Sequence, residues 1–175
     1  MDLEIPKIDT SWTLFLDRDG VINKKLKNKY IKNIDEFEFL PNVLEAIRLL
    51  SSRFHKIFIV TNQQGISKLL MTEDDLYKVH QHLLKEVKNF GGRIDAIYHA
   101  PQLADENSMM RKPNIGMALQ AKEEFPSIDF KKSIMIGDSI SDMKFAKNLN
   151  MFGIFIGQSE KYFCIDSLMN LTKIL

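Results

Sequence analysis

"LFLDRDGVIN", Leu14 to Asn23, runs from an apolar stretch into a carboxylate, a cation, a second carboxylate and a glycine. A short, unbroken apolar run reads as a buried strand, and carboxylates at the tip of such a strand are costly unless something cationic stands beside them. The rest of the sequence must supply that partner.

Four further apolar runs repeat the pattern: "KIFIVT", "DAIYHA", "SIMIGD" and "FGIFIG". Helical signals separate them. Val43, Leu44, Ile47 and Leu50 are spaced as one helix face behind Pro41 and Asn42, and Thr72 with Asp75 forms a capping-box pattern that opens a long helix ending at Gly91 and Gly92. Pro113 and Asn114 are expected to start another helix, Ser141 to Leu149 a short one, and Ser167 to Leu175 the last. Strands alternating with helices predict an α/β fold, an open, doubly wound, Rossmann-like parallel sheet with helices on both faces. Such sheets bind ligands at the carboxyl ends of their strands, and here those ends carry Asp17, Thr61 and Asp138.

The chain of 175 residues is 45% hydrophobic, which suits one domain over residues 1–175. Its formal net charge of +1 gives no general attraction to nucleic acid or to an anionic membrane, although a local basic patch is not excluded by it. The N-terminus, MDLEIPKIDT, is too acidic and polar for a signal peptide, and no apolar run approaches the ~20 residues needed to cross a bilayer, so a cytoplasmic location is expected. Cys164 is the sole cysteine, which excludes an intrachain disulfide; between Phe163 and Ile165 it reads as packing.

Residues i and i+2 of an extended chain point to the same side about 7 Å apart, so Asp17 and Asp19 can face one ligand. One carboxylate can attack phosphorus to form an aspartyl-phosphate. The other, held protonated, can give a proton to the departing alkoxide and then, as base, activate the water that breaks the acyl phosphate. Gly20 permits the sharp turn this needs. "GDSISD" adds Asp138, and Asp17 with Asp138 makes an oxygen-rich site of the kind Mg²⁺ prefers. "RKP" adds Lys112, a point charge for the transferring group, and Arg111, a planar fork for a second anionic or hydroxyl-rich part of the substrate. Thr61 and the amide of Asn62 would hold phosphoryl oxygens, with Gln63 beside them in the substrate-binding set. Asp142 caps the helix after Asp138 or lends the metal side a further carboxylate.

Taken in order, LDRDGVIN, IVTNQQGIS, RKPNIGM and IGDSISDM resemble the four motifs of the haloacid dehalogenase superfamily of phosphatases, over Leu14 to Gly157. The resemblance implies Asp17 as nucleophile, Asp19 as general acid/base, Thr61 and Lys112 as phosphate ligands and Asp138 as a metal ligand. It also implies that the backbone carbonyl at Asp19 binds Mg²⁺ and that Asp142 stands on the metal side. "DRDG", "TNQ" and "RKP" look like the branch that contains the D-glycero-D-manno-heptose 1,7-bisphosphate phosphatases and the histidinol-phosphate phosphatases, compact enzymes without a large cap. Loops Asn23–Phe37, Gln63–Met71 and Ala100–Arg111 would then choose the substrate.

Many members of that branch carry a zinc loop before "RKP". The four matching positions here are Ala100, Gln102, Ser108 and Met110, none a thiolate or imidazole, so no zinc is expected and the loop must be ordered by packing through Leu103, Met109 and Met110, or close on substrate. His99 reads as a strand-end hydrogen-bonding residue. His80 and His82, two apart on a helix, do not share a face and are not expected to bind metal. The lysines between Lys24 and Lys32 read as a solvated loop, a share of which could meet the second phosphate of a bisphosphate.

The leading expectation is a Mg²⁺-dependent phosphomonoesterase, a monomer acting on a small sugar phosphate, with a heptose bisphosphate first. Histidinol phosphate and a polynucleotide 3′-phosphate are the alternatives within the class, and a non-catalytic phosphate-binding scaffold is the alternative outside it. Binding alone has no need of a second acid at Asp19.

Overall fold

The computed structural model describes residues 4–27 and 29–175; Asn28, within the expected basic loop, lies outside them. Six strands run in chain order as β1 (Thr13–Leu16), β2 (Lys56–Asn62), β3 (Ala96–Ala100), β4 (Ser133–Gly137), β5 (Phe152–Ile156) and β6 (Phe163–Ile165). Five helices accompany them: α1 (Val43–Ser51), α2 (Glu73–Asn89), α3 (Gly116–Glu124), α4 (Ile140–Asn148) and α5 (Leu168–Ile174). Every paired strand is parallel, in the order β3-β2-β1-β4-β5-β6. The order reverses beside β1, where a doubly wound sheet opens its ligand crevice.

Alternation along the central strands divides the core in two. Leu14, Leu16, Ile57, Ile59, Ile134 and Ile136 face α1, α2 and α5, through Ile47, Leu50, Val79, Leu83, Leu168 and Leu171 among others. Phe15, Phe58, Val60 and Met135 face the opposite way, towards Met117, Ala118 and Ala121 of α3 and Phe145 and Ala146 of α4. A strand covered on both faces has no polar side to mark it in sequence, which is why these runs are apolar throughout.

The capping box at α2 forms as its sequence predicts: Asp75 N donates to Thr72 Oγ1 (3.1 Å) and Thr72 N to Asp75 Oδ2 (2.9 Å). Three expectations are corrected. Helix α3 starts at Gly116, not at Pro113, because the preceding residues are spent on turns, with Asn114 N donating to Arg111 O and Gly116 N to Met109 O (both 2.8 Å). Phe163–Ile165 is a sixth strand, so Cys164 is a half-buried edge residue rather than a packed core one. Met109 is 61% exposed and orders nothing by packing. Among the described residues no helix is long and apolar enough to cross a membrane.

Helix α4 leaves β4 through a tight passage. Its capping box joins Ser139 and Asp142, and a Cβ on Gly137 would lie 2.2 Å from both Cβ and Cγ of Asp142. Gly137→Ala therefore has to displace the capping carboxylate, and is expected to cost about 1–3 kcal/mol in urea unfolding. A stability equal to that of the unsubstituted chain would contradict this packing.

Candidate active site

Beyond Leu16 the chain stays tied to the sheet, Asp17 N donating to Ile136 O of β4 at 2.9 Å. It then folds into a knot around the Arg18 carbonyl, which accepts from the amides of Val21 (3.3 Å), Ile22 (2.8 Å) and Asn23 (3.2 Å). Gly20 makes the knot possible. Its φ of +89° suits glycine, and a Cβ there would stand 2.2 Å from Asp138 Oδ2. Asp17 and Asp19 are thus folded up against the end of β4.

Asp17 is buried, and its Oδ1 accepts from Arg18 N (2.8 Å) and pairs with Lys112 Nζ (2.9 Å). Among the described residues nothing donates to Oδ2. The same ammonium donates to Val60 O (2.6 Å) and lies 2.6 Å from Asp142 Oδ1, a charge contact without hydrogen-bond alignment. Burial, with some help from Asp142 and Asp19, pushes the Asp17 carboxyl up to about 7 against the pull of Lys112. Burial opposes charge on Lys112 too, but Asp142 and Asp17 outweigh it and hold its pKa above the usual lysine value.

Asp19 is treated differently. Arg18 Nη2 donates to both of its oxygens (3.0 Å each), Asn23 Nδ2 to Oδ1 (2.9 Å) and Gln63 Nε2 to Oδ2 (2.8 Å). Burial raises its pKa, but the Arg18 charge and these donors outweigh burial and hold it below the usual carboxylate range. The expectation of a protonated Asp19 is therefore corrected for the resting site: four contacts to the ionised form keep the proton off. The cation answering the second carboxylate is Arg18 itself, completely buried, a role the sequence reading gave to Lys112 and a metal alone.

Asp138, at the end of β4, accepts from Lys25 Nζ on both oxygens (2.9 and 2.7 Å). Asp17, Asp138 and Asp142 each bring a carboxylate oxygen within 4.8 Å of the others. Asp142 is the least available of the three, since Oδ2 accepts from Ser139 N (3.0 Å) and Ser139 Oγ (2.5 Å) while Oδ1 faces Lys112. Asp17 and Asp138 fit a hard divalent cation, and the Lys25 ammonium on Asp138 shows that a positive charge is accepted there.

The strand ends and loops enclose a cleft of about 570 Å³ lined by Asp17, Asp19, Thr61, Asn62, Arg111 and Lys112 of the expected residues, together with Lys25, Lys29, Tyr30, Gln64, Lys68, Ser139 and Ser141. Gln63 does not line it. That side chain is buried, its amide donating to Asp19 and to Thr61 Oγ1 (2.9 Å), so its place as a substrate ligand is corrected to a brace between the two. Asn62 braces as well: Lys112 N donates to its Oδ1 and its Nδ2 donates to Lys112 O, 3.0 Å each. Tyr30 ties two of the expected loops together, its hydroxyl accepting from Gln64 Nε2 (3.0 Å) and Lys68 Nζ (3.1 Å). The third loop lines a smaller recess of about 250 Å³ through Ala104, Asn107 and Ser108, and reaches the main cleft only at Arg111. Hydrogen bonds hold it, Asn114 Nδ2 donating to Ser108 O (2.9 Å) and Arg111 Nη1 to Gln102 O (3.1 Å). His99 Nε2 donates to Glu73 Oε2 (2.9 Å), as its strand-end position suggests.

The family described as polynucleotide kinase 3 phosphatase matches residues 13–155. The chain belongs to that family, and it is a phosphatase. Its fold is that of the haloacid dehalogenase superfamily. Among its relatives are the D-glycero-alpha-D-manno-heptose-1,7-bisphosphate 7-phosphatase of Campylobacter jejuni, 43% identical over 148 residues and 85% of this chain and 83% of the other, and the beta-named enzyme of Rhodopseudomonas palustris, 33% identical over 91% of each. A crystal structure of D,D-heptose 1,7-bisphosphate phosphatase from B. bronchiseptica, complexed with magnesium and phosphate, superposes with a TM-score of 0.83 at 25% identity, over 93% of this chain and 96% of that one.

In this phosphatase the Lys112 ammonium stands between two buried carboxylates, and removing it leaves both uncompensated. Lys112→Met is expected to lower stability by about 3 kcal/mol or more in urea unfolding with chelator present. A loss under about 1 kcal/mol, typical of an exposed pair, would show that the ammonium is not their principal counter-charge.

Proposed function

We propose that this phosphatase hydrolyses the 7-phosphate of a D-glycero-D-manno-heptose 1,7-bisphosphate through an aspartyl-phosphate on Asp17. The observation that carries the reading is the cleft's unequal charge. Lys25 and Lys112 are paired with Asp138, Asp17 and Asp142, whereas Lys29, Lys68 and Arg111 line the same cleft with no carboxylate partner among the described residues. Three uncompensated cations beyond the reacting carboxylate suit a substrate with a second phosphate. The names of the relatives support the sugar.

Asp17 attacks phosphorus, the ester P–O bond breaks, and the leaving alkoxide takes a proton from Asp19. Asp19 gains that proton as the anionic ester binds beside it, because a neighbouring like charge disfavours the carboxylate. Water then attacks the acyl phosphate, giving its proton to Asp19, and the bond to Asp17 breaks to release inorganic phosphate. Thr61 and Asn62, both at the cleft wall, hold phosphoryl oxygens, and Lys112 acts by charge. Asp17 and Asp138, with the Asp19 carbonyl that the family resemblance implies, would hold a Mg²⁺, which would supply positive charge to the transferring oxygens. Asp142 holds Lys112 and caps α4. The hydrogen-bonded loop Ala100–Arg111 supports a zinc-free enzyme, and stoichiometric zinc by elemental analysis would contradict that.

Purified protein with Mg²⁺ is expected to release phosphate from heptose bisphosphate, EDTA to stop it, and Asp17→Asn to abolish turnover with the fold retained. In a kcat/KM panel the two heptose bisphosphate anomers should exceed histidinol phosphate and a 3′-phosphorylated oligonucleotide; a faster oligonucleotide would overturn the substrate assignment. Lys68→Ala should raise KM for the bisphosphate on the order of fivefold to tenfold more than for a monophosphate. Equal shifts would remove Lys68 from the distal phosphate.

A further inference from the structure

Arg18 is the largest side chain to be wholly buried, and its charge cannot be lost. A fork that met Asp19 with two nitrogens would be fixed in its plane. Here one nitrogen, Nη2, spans both carboxylate oxygens at 3.0 Å, and Nε has no partner among the described residues. Contact through a single nitrogen sets the plane of the guanidinium less firmly than a two-nitrogen fork would, so where it holds its side of Asp19 depends on its other anchor. The second anchor is His80, on the buried face of α2: Arg18 Nη1 lies 3.1 Å from His80 Nε2.

Arginine only donates, so Nε2 accepts and the imidazole proton sits on Nδ1. Burial first, and then the Arg18 charge, push His80 down to about 3, so the ring stays neutral and the acceptor is always available at working pH. The His99 ring meets His80 edge-on at 6.0 Å, and His99 is itself held by Glu73 in the first turn of α2. A chain of contacts therefore runs from the capped end of a 17-residue helix to the carboxylate that handles the proton.

We propose that His80 is a positioning residue, which fixes Arg18 by accepting its Nη1 hydrogen bond and so aims the Asp19 carboxyl at the leaving-group oxygen. The proposal rests on the reading of Asp19 as general acid. It separates from a merely structural histidine because general-acid help matters for an alkoxide and hardly at all for a nitrophenolate, which departs without a proton. The measurement is kcat/KM, which covers binding through the first P–O cleavage, for a primary alkyl phosphate and for 4-nitrophenyl phosphate.

His80→Phe keeps a ring and loses the acceptor, and is expected to lower the alkyl-to-aryl ratio on the order of tenfold or more. His80→Leu gives the same reading if the phenylalanine variant fails to fold. His80→Gln, whose amide oxygen can accept, should restore most of the ratio. Asp19→Asn is the control for the underlying reading. A collapsed ratio in Asp19→Asn with an unchanged ratio in the acceptor-free variants overturns the role of His80 alone. An unchanged ratio in Asp19→Asn overturns the general acid, and His80 as its positioner with it. Equal losses in the glutamine and acceptor-free variants show that the imidazole serves packing, and also overturn the proposal.

Discussion

The position of the Lys112 ammonium constrains everything else in the site. It donates to Val60 O of β2, pairs with Asp17 at the end of β1 and stands in charge contact with Asp142 of α4, while Asn62 grips the Lys112 backbone from both sides. Burying three ionised groups is unfavourable unless their charges answer one another at close range. Three carboxylates, Asp17, Asp138 and Asp142, face two ammonium groups, Lys25 and Lys112, which leaves one negative charge when all three are ionised. A divalent cation and a dianionic ester add nothing net to that balance, so the pair can enter without a new uncompensated charge.

Two carboxylates two residues apart are driven in opposite directions by their surroundings. Burial raises Asp17 to about 7, and Arg18, Asn23 and Gln63 hold Asp19 low. Such a split marks a division of roles. Its resting sense is the reverse of what attack and leaving-group protonation need. On the proposed mechanism, a cation beside Asp17 would favour its ionised form and a phosphoryl anion beside Asp19 its protonated form, so arrival of the reactants would turn the split round.

The sheet was legible in the sequence because its strands are covered on both faces and bounded by strong helix signals; Thr13–Leu16, Lys56–Asn62 and the Thr72 cap fall where patterning puts them. Strand β6 was not, since three residues, Phe-Cys-Ile, carry no period, and its pairing with β5 is a tertiary fact. The motif residues converge as their order along parallel strands requires. Direction was harder to read. Gln63 turns inwards and Gln64 outwards, a distinction set by the turn after β2. In sequence Arg18 is only a cation between two acids, and the knot around its own carbonyl is needed to reveal that its side chain is driven into the core.

The third loop, where no zinc is expected, is held by ordinary hydrogen bonds. Asn114 and Arg111 hold the loop through the carbonyls of Ser108 and Gln102, with Met109 left in solvent. Arg111 both restrains the loop, through Nη1, and lines the cleft. The planar fork of its remaining donors suits a bidentate partner such as a phosphate better than a point-like one. On the proposed reading of the distal phosphate, the order of the loop and the choice of that group would be coupled through one side chain.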